Sequence, residues 1–235
     1  MILWFALFLL IVGISFVLAF RSMKDYQEIP KNFKAEYGLF LIRRPEDFNA
    51  NVLNAIGQSI LEEGLIISIE RLFKGKKAAL TIFGPKKILD RFAESLNLLE
   101  LEDYANALDH KDISVWEMGI KGTQDFKFDS PNNIFKNLSE LKEEEQFFWQ
   151  IMLNAGKGKE KSFQAQIRAV IYSKDPERRK ILISLLQTAE VGELTKVPKP
   201  FSDEQMMVFY KLRSFAKDSS GLILDAEGVI RLLKV

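Results

Sequence analysis

The sequence predicts an α+β protein in which one transmembrane helix precedes two tandem ferredoxin-like units. Three observations predict this class. An uncharged apolar run extends from Ile2 to Phe20. Strand-like and helix-like segments then follow one another in the order β-α-β-β-α-β, which is the order of a split βαβ unit. The same order starts again near residue 106, so a second unit of the same class is expected.

The apolar run has the properties of a membrane anchor. A helix of nineteen residues is roughly 28 Å long, close to the hydrocarbon thickness of a bilayer. No basic residue precedes the run and no Ala-x-Ala site ends it, so a cleaved signal peptide is disfavoured. A buried core helix is the alternative, but the run has no polar stripe. Trp4 would lie near the outer interface, and Arg21 with Lys24 would place the following domain in the cytoplasm.

The end of this run sets the predicted domain boundaries. Ile2, Trp4, Phe20 and Arg21 mark the anchor, whose last residue is the first charged one. Four segments are expected: the anchor at 1–21, a juxtamembrane linker at 22–36, the first ferredoxin-like unit at 37–105, and the second at 106–235 with a polar insertion at 191–220.

The elements of the first unit are indicated by apolar periodicity and by turn residues. A strand is predicted from Tyr37 to Ile42, and Asp47 is expected to cap a helix that ends at Gly64. Two strands on either side of Lys74-Gly75-Lys76 form a hairpin. The remaining expected elements are a helix after Pro85, with Ile88, Leu89, Phe92 and Leu96 buried, and a strand at 98–102.

The second unit is predicted in the same way. Strands are expected at 113–118, 146–153, 163–172 and 221–224, and helices at 130–141, from Asp175, at 203–214 and after Asp225. On the strand 163–172, Gln164, Gln166 and Arg168 share one face. That polar face is either a partner surface or an exposed or cross-strand-paired face of the sheet.

Composition excludes several kinds of chemistry. The formal net charge is +1, cysteine is absent and His110 is the one histidine. Disulfides, thiol catalysis and multi-histidine metal sites are therefore excluded within this chain. The phosphate-loop pattern GxxxxGK[ST] is missing. The acidic clusters around Glu100 and Glu143 are interpreted as solvated charge, with a carboxylate-bound Mg²⁺ as the alternative. No catalytic, cofactor-binding or metal-ligating residue is assigned, and no enzyme activity is expected.

Two hairpins carry lysine clusters. The predicted contact residues are Lys74, Lys76, Lys77, Lys157, Lys159 and Lys161. Such tips either contact nucleic-acid phosphates or anionic lipid head groups, or are solvated turns without a partner. The RNP1 pattern of RNA-binding ferredoxin-like domains is absent.

Three segments resemble a known family. They are Phe147–Ile151, the strand from Phe163 that leads into Asp175-Pro176-Glu177-Arg178, and Leu222–Leu233. Together with the leading apolar run, they are similar to the N-terminal region of the membrane-anchored, conjugative-transfer (type IV secretion-like) ATPases of bacteria. In that family a motor domain with a phosphate loop follows, and this sequence contains no such domain. The resemblance therefore implies a scaffold role.

The functional expectation combines these features. The chain is expected to be a non-catalytic, single-pass scaffold or adaptor of the bacterial inner membrane, with its N-terminus outside. Its cytoplasmic part would dock a partner, either a DNA- or protein-translocation ATPase or a second copy of itself. The alternative is a membrane-tethered nucleic-acid-binding module that uses the lysine hairpins. An enzyme with a carboxylate-bound metal is a third hypothesis.

Overall fold

The computed structural model describes residues 4, 10–15, 35–108, 110–120, 141–155, 162–188, 194–196, 202–215 and 222–233. The strands among them are β1 (Tyr37–Ile42), β2 (Ile66–Lys74), β3 (Lys77–Pro85), β4 (Leu98–Leu101), β5 (Ile113–Ile120), β6 (Gln146–Ala155), β7 (Ser162–Tyr172), β8 (Leu194–Lys196) and β9 (Leu222–Asp225). The α-helices are α1 (Ala50–Glu63), α2 (Lys86–Leu89), α3 (Pro176–Thr188), α4 (Asp203–Leu212) and α5 (Ala226–Leu233). The predicted helix at 130–141 lies outside the described residues except for Leu141, which is not helical.

Local capping residues explain where helix α1 begins and ends. The side chain of Asn49 accepts hydrogen bonds from the backbone N–H groups of Asn51 and Val52, at 3.0 and 3.2 Å. Gly64 ends the helix with φ of +65°, a conformation that glycine adopts without steric cost. The predicted end at Gly64 is confirmed. The predicted cap at Asp47 is wrong, because Asn49 lies immediately before the first helical residue.

All nine strands of the described residues belong to one sheet. The strand order is β4-β1-β3-β2-β6-β7-β5-β8, and β9 pairs with β7. Strand β7 uses Ile167–Tyr172 to pair with β5 and Ser162–Ala165 to pair with β9, so these two strands share one of its edges. Every pair of neighbouring strands is antiparallel.

The prediction of two tandem ferredoxin-like units is wrong, because the two halves of the chain share this sheet. Strand β2 pairs with β3 along one edge and with β6 along the other, from Ile66 opposite Asn154 to Lys74 opposite Gln146. The order of elements along a chain does not determine which strand edges meet. A long apolar strand such as β2 exposes unpaired backbone groups unless another strand covers its edge. The pairing with β6 covers that edge.

The membrane prediction is also contradicted. Within the part of the chain that the structure describes, no helix is long and apolar enough to cross a membrane. Trp4 and residues 10–15 are helical and exposed, whereas Ile2, Phe20 and Arg21 lie outside the described residues. The predicted single-pass topology and inner-membrane location are therefore corrected. Apolar composition and length are necessary for a membrane span, but they do not by themselves establish one.

Alternation of side chains gives the sheet two different faces. The first face presents Ile67, Ile69 and Phe73 of β2 and corresponding residues of the neighbouring strands to α1, α3 and α5. Gly57 lies where α1 approaches β7, since a Cβ there would be 2.6 Å from the ring of Phe163. This contact surface forms the larger of the two hydrophobic cores.

The second face is covered by α4 and by the 3-10 helix Tyr104–Ala107. The smaller core includes Met206, Phe209 and Tyr210 of α4, packed against Phe148 and Val170 of the sheet. Helix α4 thus lies inside the segment that the sequence analysis treats as a polar insertion. It contributes to a core, and the polar residues of the sheet lie beneath it.

Candidate functional site

A row of polar side chains crosses the second face under α4. Strand register places Glu70 opposite Gln150, Gln150 opposite Arg168, and Arg168 opposite Glu117. All four side chains are buried. The sequence prediction that Arg168 lies on the face opposite Phe163 is confirmed. On that face Gln164 is exposed, whereas Gln166 and Arg168 are buried and Arg168 bonds to Gln150 of the neighbouring strand.

Arg213 joins this row to the elements that cover it. It follows α4 with φ of +49°. Its Nε donates to Oε1 of Glu70 at 2.9 Å, and its Nη1 donates to Oδ2 of Asp103 at 2.7 Å. The guanidinium also lies 4.3 Å from the ring centre of Phe83. One buried side chain therefore connects the sheet, the start of the 3-10 helix at Tyr104 and the end of α4.

Arg168 holds the end of α4 from the sheet side. Its Nη1 donates to the Phe209 carbonyl at 3.0 Å and to Oε1 of Gln150 at 3.2 Å. Its Nη2 donates to the carbonyl of Ser214 and, at 2.9 Å, to Oε1 of Gln166. The Phe209 carbonyl belongs to the last turn of α4 and the Ser214 carbonyl follows the helix, so this arginine donates to the backbone on both sides of the helix end.

Burial sets the protonation of these groups. It raises the pKa of Tyr104 and of Tyr210 well above the ordinary tyrosine value, and the negative charge of Glu70 adds to the effect. The Tyr104 hydroxyl donates to Oε2 of Glu70 at 2.8 Å and bonds to the Tyr210 hydroxyl. Burial lowers the pKa of Arg168 to about 10. For Arg213, the carboxylates of Glu70 and Asp103 outweigh burial, and the net effect raises the pKa.

A groove of about 230 Å³ opens on the same face, beside the covered polar row. Its floor contains Leu72, Ala79, Phe148 and Tyr104. The ring centres of Tyr104 and Phe148 are 5.2 Å apart. Lys74, at the end of β2, and Lys77, at the start of β3, lie at its rim. The groove therefore combines an apolar floor with positive charge.

The rim lysines belong to the first predicted basic hairpin. Lys74, Lys76 and Lys77 are all exposed, and Lys74 lies directly opposite Lys77 in the strand pair. Gly75, at φ +53°, donates its N–H to the carbonyl of Glu145 at 3.1 Å. The hairpin tip consequently packs on the acidic segment 143–145. The second predicted hairpin, with Lys157, Lys159 and Lys161, lies outside the described residues.

A larger cleft, of about 620 Å³, lies at the start of β1 and the end of β3. Its charges are mixed: Lys86 contacts Glu100 at 2.8 Å and Glu36 at 2.6 Å. Hydrogen bonds from Lys86 to these two carboxylates raise its pKa. The residues of the predicted acidic cluster are separated, since Glu100 pairs with Lys86 and Asp103 pairs with Arg213. Within the described residues no group of three or more His, Cys, Asp or Glu side chains is arranged to hold a metal ion.

Sequence reasoning missed the buried network and the groove. Glu70 had a usable signal, because a charged residue at the middle of an apolar strand such as β2 must find a buried partner. Arg213 had none, since the residue it pairs with is 143 positions away. The groove depends on Phe148 lying beside Leu72, which only the β2–β6 pairing provides.

No protein-family model matches the chain, and a search of curated proteins gives no significant match.

Proposed function

We propose that this protein is an adaptor without catalytic activity of its own, which docks a partner protein along the free edge of its sheet. The observation that carries the proposal is the position of β4 at the end of the strand order. Strand β4 pairs with β1 on one side, and no strand of the described residues pairs with its other side. Such an edge offers unpaired N–H and C=O groups to an extended segment of another chain.

The side chains of β4 support this role. Leu99 is 40% exposed and lies on the same face as Leu41 of β1. An added strand would gain backbone hydrogen bonds from the edge and a contact with this leucine. Specific strand addition uses both features, because the backbone supplies affinity and alternate side chains supply selectivity.

The buried charges under α4 also support the docking proposal. Arg213 donates from the end of α4 to Glu70 of the sheet, Arg168 donates from the sheet to the Phe209 carbonyl of α4, and all three charged side chains are buried. These hydrogen bonds hold α4 against the same sheet that carries β4 at its end. The resemblance to type IV secretion-like ATPases makes a translocation ATPase the first partner to test, with a second copy of the chain as the other.

The experiment places a photo-crosslinking residue at Leu99 and, as a matched control, at Gln58 on the exposed side of α1. A crosslinked partner is purified and combined with the unmodified chain, and hydrogen exchange of the β4 amides is measured. We expect crosslinking at position 99 to exceed that at 58, and the β4 amides to be protected by the partner. Equal crosslinking at both positions, or turnover of a substrate by the purified chain, would contradict the proposal.

A second candidate function is nucleic-acid binding by the β2–β3 hairpin. It is favoured by the exposure of Lys74, Lys76 and Lys77 on one turn. Phosphate contacts by lysines make binding strongly dependent on salt. The nearby exposed carboxylates of Glu143 and Glu144 oppose it, because they repel a polyanion. A titration with labelled DNA and RNA at low and high salt tests it.

A further inference from the structure

We infer that the groove beside Lys74 and Lys77 binds an acidic segment of a partner protein that inserts one large apolar side chain. This inference rests on the proposed docking function and names a site and a ligand chemistry for it. The groove is separate from the β4 edge, since strands β1 and β3 lie between β4 and β2. A partner could use both surfaces, and each is tested separately.

Two like charges face each other at the rim of the groove. Lys74 and Lys77 are direct cross-strand partners, and both are exposed. Like charges directly opposite each other destabilise a strand pair. Within the described ranges neither lysine makes an ion pair. A carboxylate placed between the two ammonium groups would remove this repulsion, so the pair is arranged to receive an anion.

The floor of the groove next to these lysines is apolar. Leu72 and Ala79 are opposite each other in the β2–β3 pair, and Phe148 lies opposite Leu72 in the β2–β6 pair. Tyr104 closes the groove from the 3-10 helix. The volume of about 230 Å³ accommodates one large apolar side chain. Burying such a side chain is favourable because it removes apolar surface from water on both partners.

The surroundings of the groove favour a peptide ligand over a nucleic acid. Phe148 is only 3% exposed and its ring lies against Tyr210, so a ligand in the groove meets the partly exposed aliphatic side chains of Leu72 and Ala79 more than the face of this ring. Glu143 and Glu144 are exposed next to the hairpin tip, where Gly75 packs on the backbone of Glu143. A long polyanion would meet these carboxylates. A short acidic segment whose charged residues extend no further than Lys74 and Lys77 would not meet these carboxylates.

The test measures fluorescence anisotropy of labelled probes with the full chain. One probe is a short peptide with a central phenylalanine flanked by glutamates, the second has alanine in place of that phenylalanine, and the third is single-stranded oligothymidine. The protein variants are Lys74→Ala with Lys77→Ala, and the matched control Lys76→Ala. Lys76 is an exposed lysine of the same turn that does not line the groove. Thermal unfolding confirms that each variant is folded.

We expect the phenylalanine peptide to bind and the alanine peptide to bind roughly 10-fold more weakly, from the lost apolar burial. The double lysine variant should weaken binding by roughly 5- to 10-fold, since exposed charge pairs each contribute modestly. Lys76→Ala should change the dissociation constant by less than about 2-fold. Ala79→Leu, which fills the floor and keeps both lysines, should abolish the preference for phenylalanine.

Two outcomes overturn the inference. Absence of peptide binding up to about 1 mM, the weakest affinity of interest, rules out the site. Oligothymidine binding that Lys76→Ala weakens as much as the other lysine substitutions assigns the hairpin to nucleic acid instead. The docking proposal fails independently: if Leu99 shows no specific crosslink while the peptide binds, the groove stands and the β4 proposal is wrong.

Discussion

At the scale of single residues, buried charge determines how the second face is closed. Glu70 is fully buried and Arg213 is 1% exposed. Removing one member of a buried ion pair leaves the other charge without a partner in a low-dielectric region. The cost of that is far larger than the stability the intact pair has over a well-packed apolar replacement of both residues. Arg213 also satisfies Asp103. Its loss should therefore affect both the sheet and the 3-10 helix.

Arg213→Met should lower the free energy of unfolding by roughly 3 to 5 kcal/mol, because it leaves the Glu70 carboxylate buried without its cation. Urea denaturation followed by tryptophan fluorescence measures the change. Arg91→Met, at an exposed position, is the matched control and should cost less than about 0.5 kcal/mol. A similar effect of the two substitutions would show that the network contributes nothing to stability.

Glu145 gives a prediction on acid stability. Its buried carboxylate accepts from Arg178 Nε at 2.9 Å and from the Lys142 N–H at 2.9 Å. Burial alone raises the pKa of Glu145, but these donors outweigh it and the net effect lowers the pKa. A lowered pKa contributes stability above the unfolded value of about 4.3, and this contribution is lost as the pH falls through the folded pKa.

Glu145→Gln should consequently reduce the loss of stability as the pH falls below the unfolded value of about 4.3 and through the lower pKa of the folded protein. Urea midpoints across this range measure it. The control is Glu143→Gln, an exposed carboxylate of the same segment, which should leave the slope unchanged. An unchanged slope for Glu145→Gln would mean that Arg178 does not hold this carboxylate.

At the scale of elements, the packing of α1 on β7 depends on a glycine in the middle of a helix. Replacing glycine by alanine in a helix ordinarily stabilises it by roughly 0.5 to 1 kcal/mol. At Gly57, however, a Cβ would lie 2.6 Å from Phe163 Cζ, and Phe163 is 2% exposed. The ring is buried, so moving it away from the new methyl group would disturb its neighbours in the core.

Gly57→Ala should therefore destabilise the protein by about 1 to 3 kcal/mol, the usual cost of overpacking a core. Denaturant midpoints measure the effect, and the double variant with Phe163→Leu should recover part of it. Gln58→Ala, an exposed position of the same helix, is the control for helix propensity alone. If Gly57→Ala is stabilising, α1 does not approach β7 as closely as described.

The elements themselves were largely predictable, and their roles were less so. The periodicity of apolar side chains and the turn residues predicted the strands at 37–42 and 163–172 and a helix at 203–214. Each lies within a few residues of the observed ends. The role of α4 could not be predicted, because Asp203, Glu204 and their neighbours suggest a surface element. Met206, Phe209 and Tyr210 are nevertheless buried against the polar row. For the site, composition indicated the basic hairpin, while its apolar floor required β6 as a neighbour.

At the scale of the whole molecule, the continuous sheet couples the two halves of the chain. Nine residues of β2 are paired with β6. Unfolding either half would expose a long apolar strand edge of the other. The body should therefore unfold as one cooperative unit, unlike a pair of independent domains.

A fragment of residues 35–105, which contains the first predicted unit at 37–105, should not fold on its own. Strand β2 would lose the partner of one edge and Leu72 would lose Phe148. Urea titration of the fragment should show no cooperative transition, and sedimentation should show association through the open edge. A folded, monomeric fragment with a sharp transition would indicate that the two halves are independent, and the intact chain serves as the control.

The sequence by itself determined the local elements, the helix end at Gly64, the basic hairpin and the alternation that separates Arg168 from Phe163. These features depend on backbone sterics and on side-chain periodicity over a few residues. Only the tertiary structure decided that the strands form one sheet, that α4 covers a buried polar row, and that β4 is the end strand of that sheet among the described residues. The physical reason is that strand edges, buried ion pairs and grooves join residues distant in the chain, such as Glu70 and Arg213, and no short-range pattern specifies which of them meet.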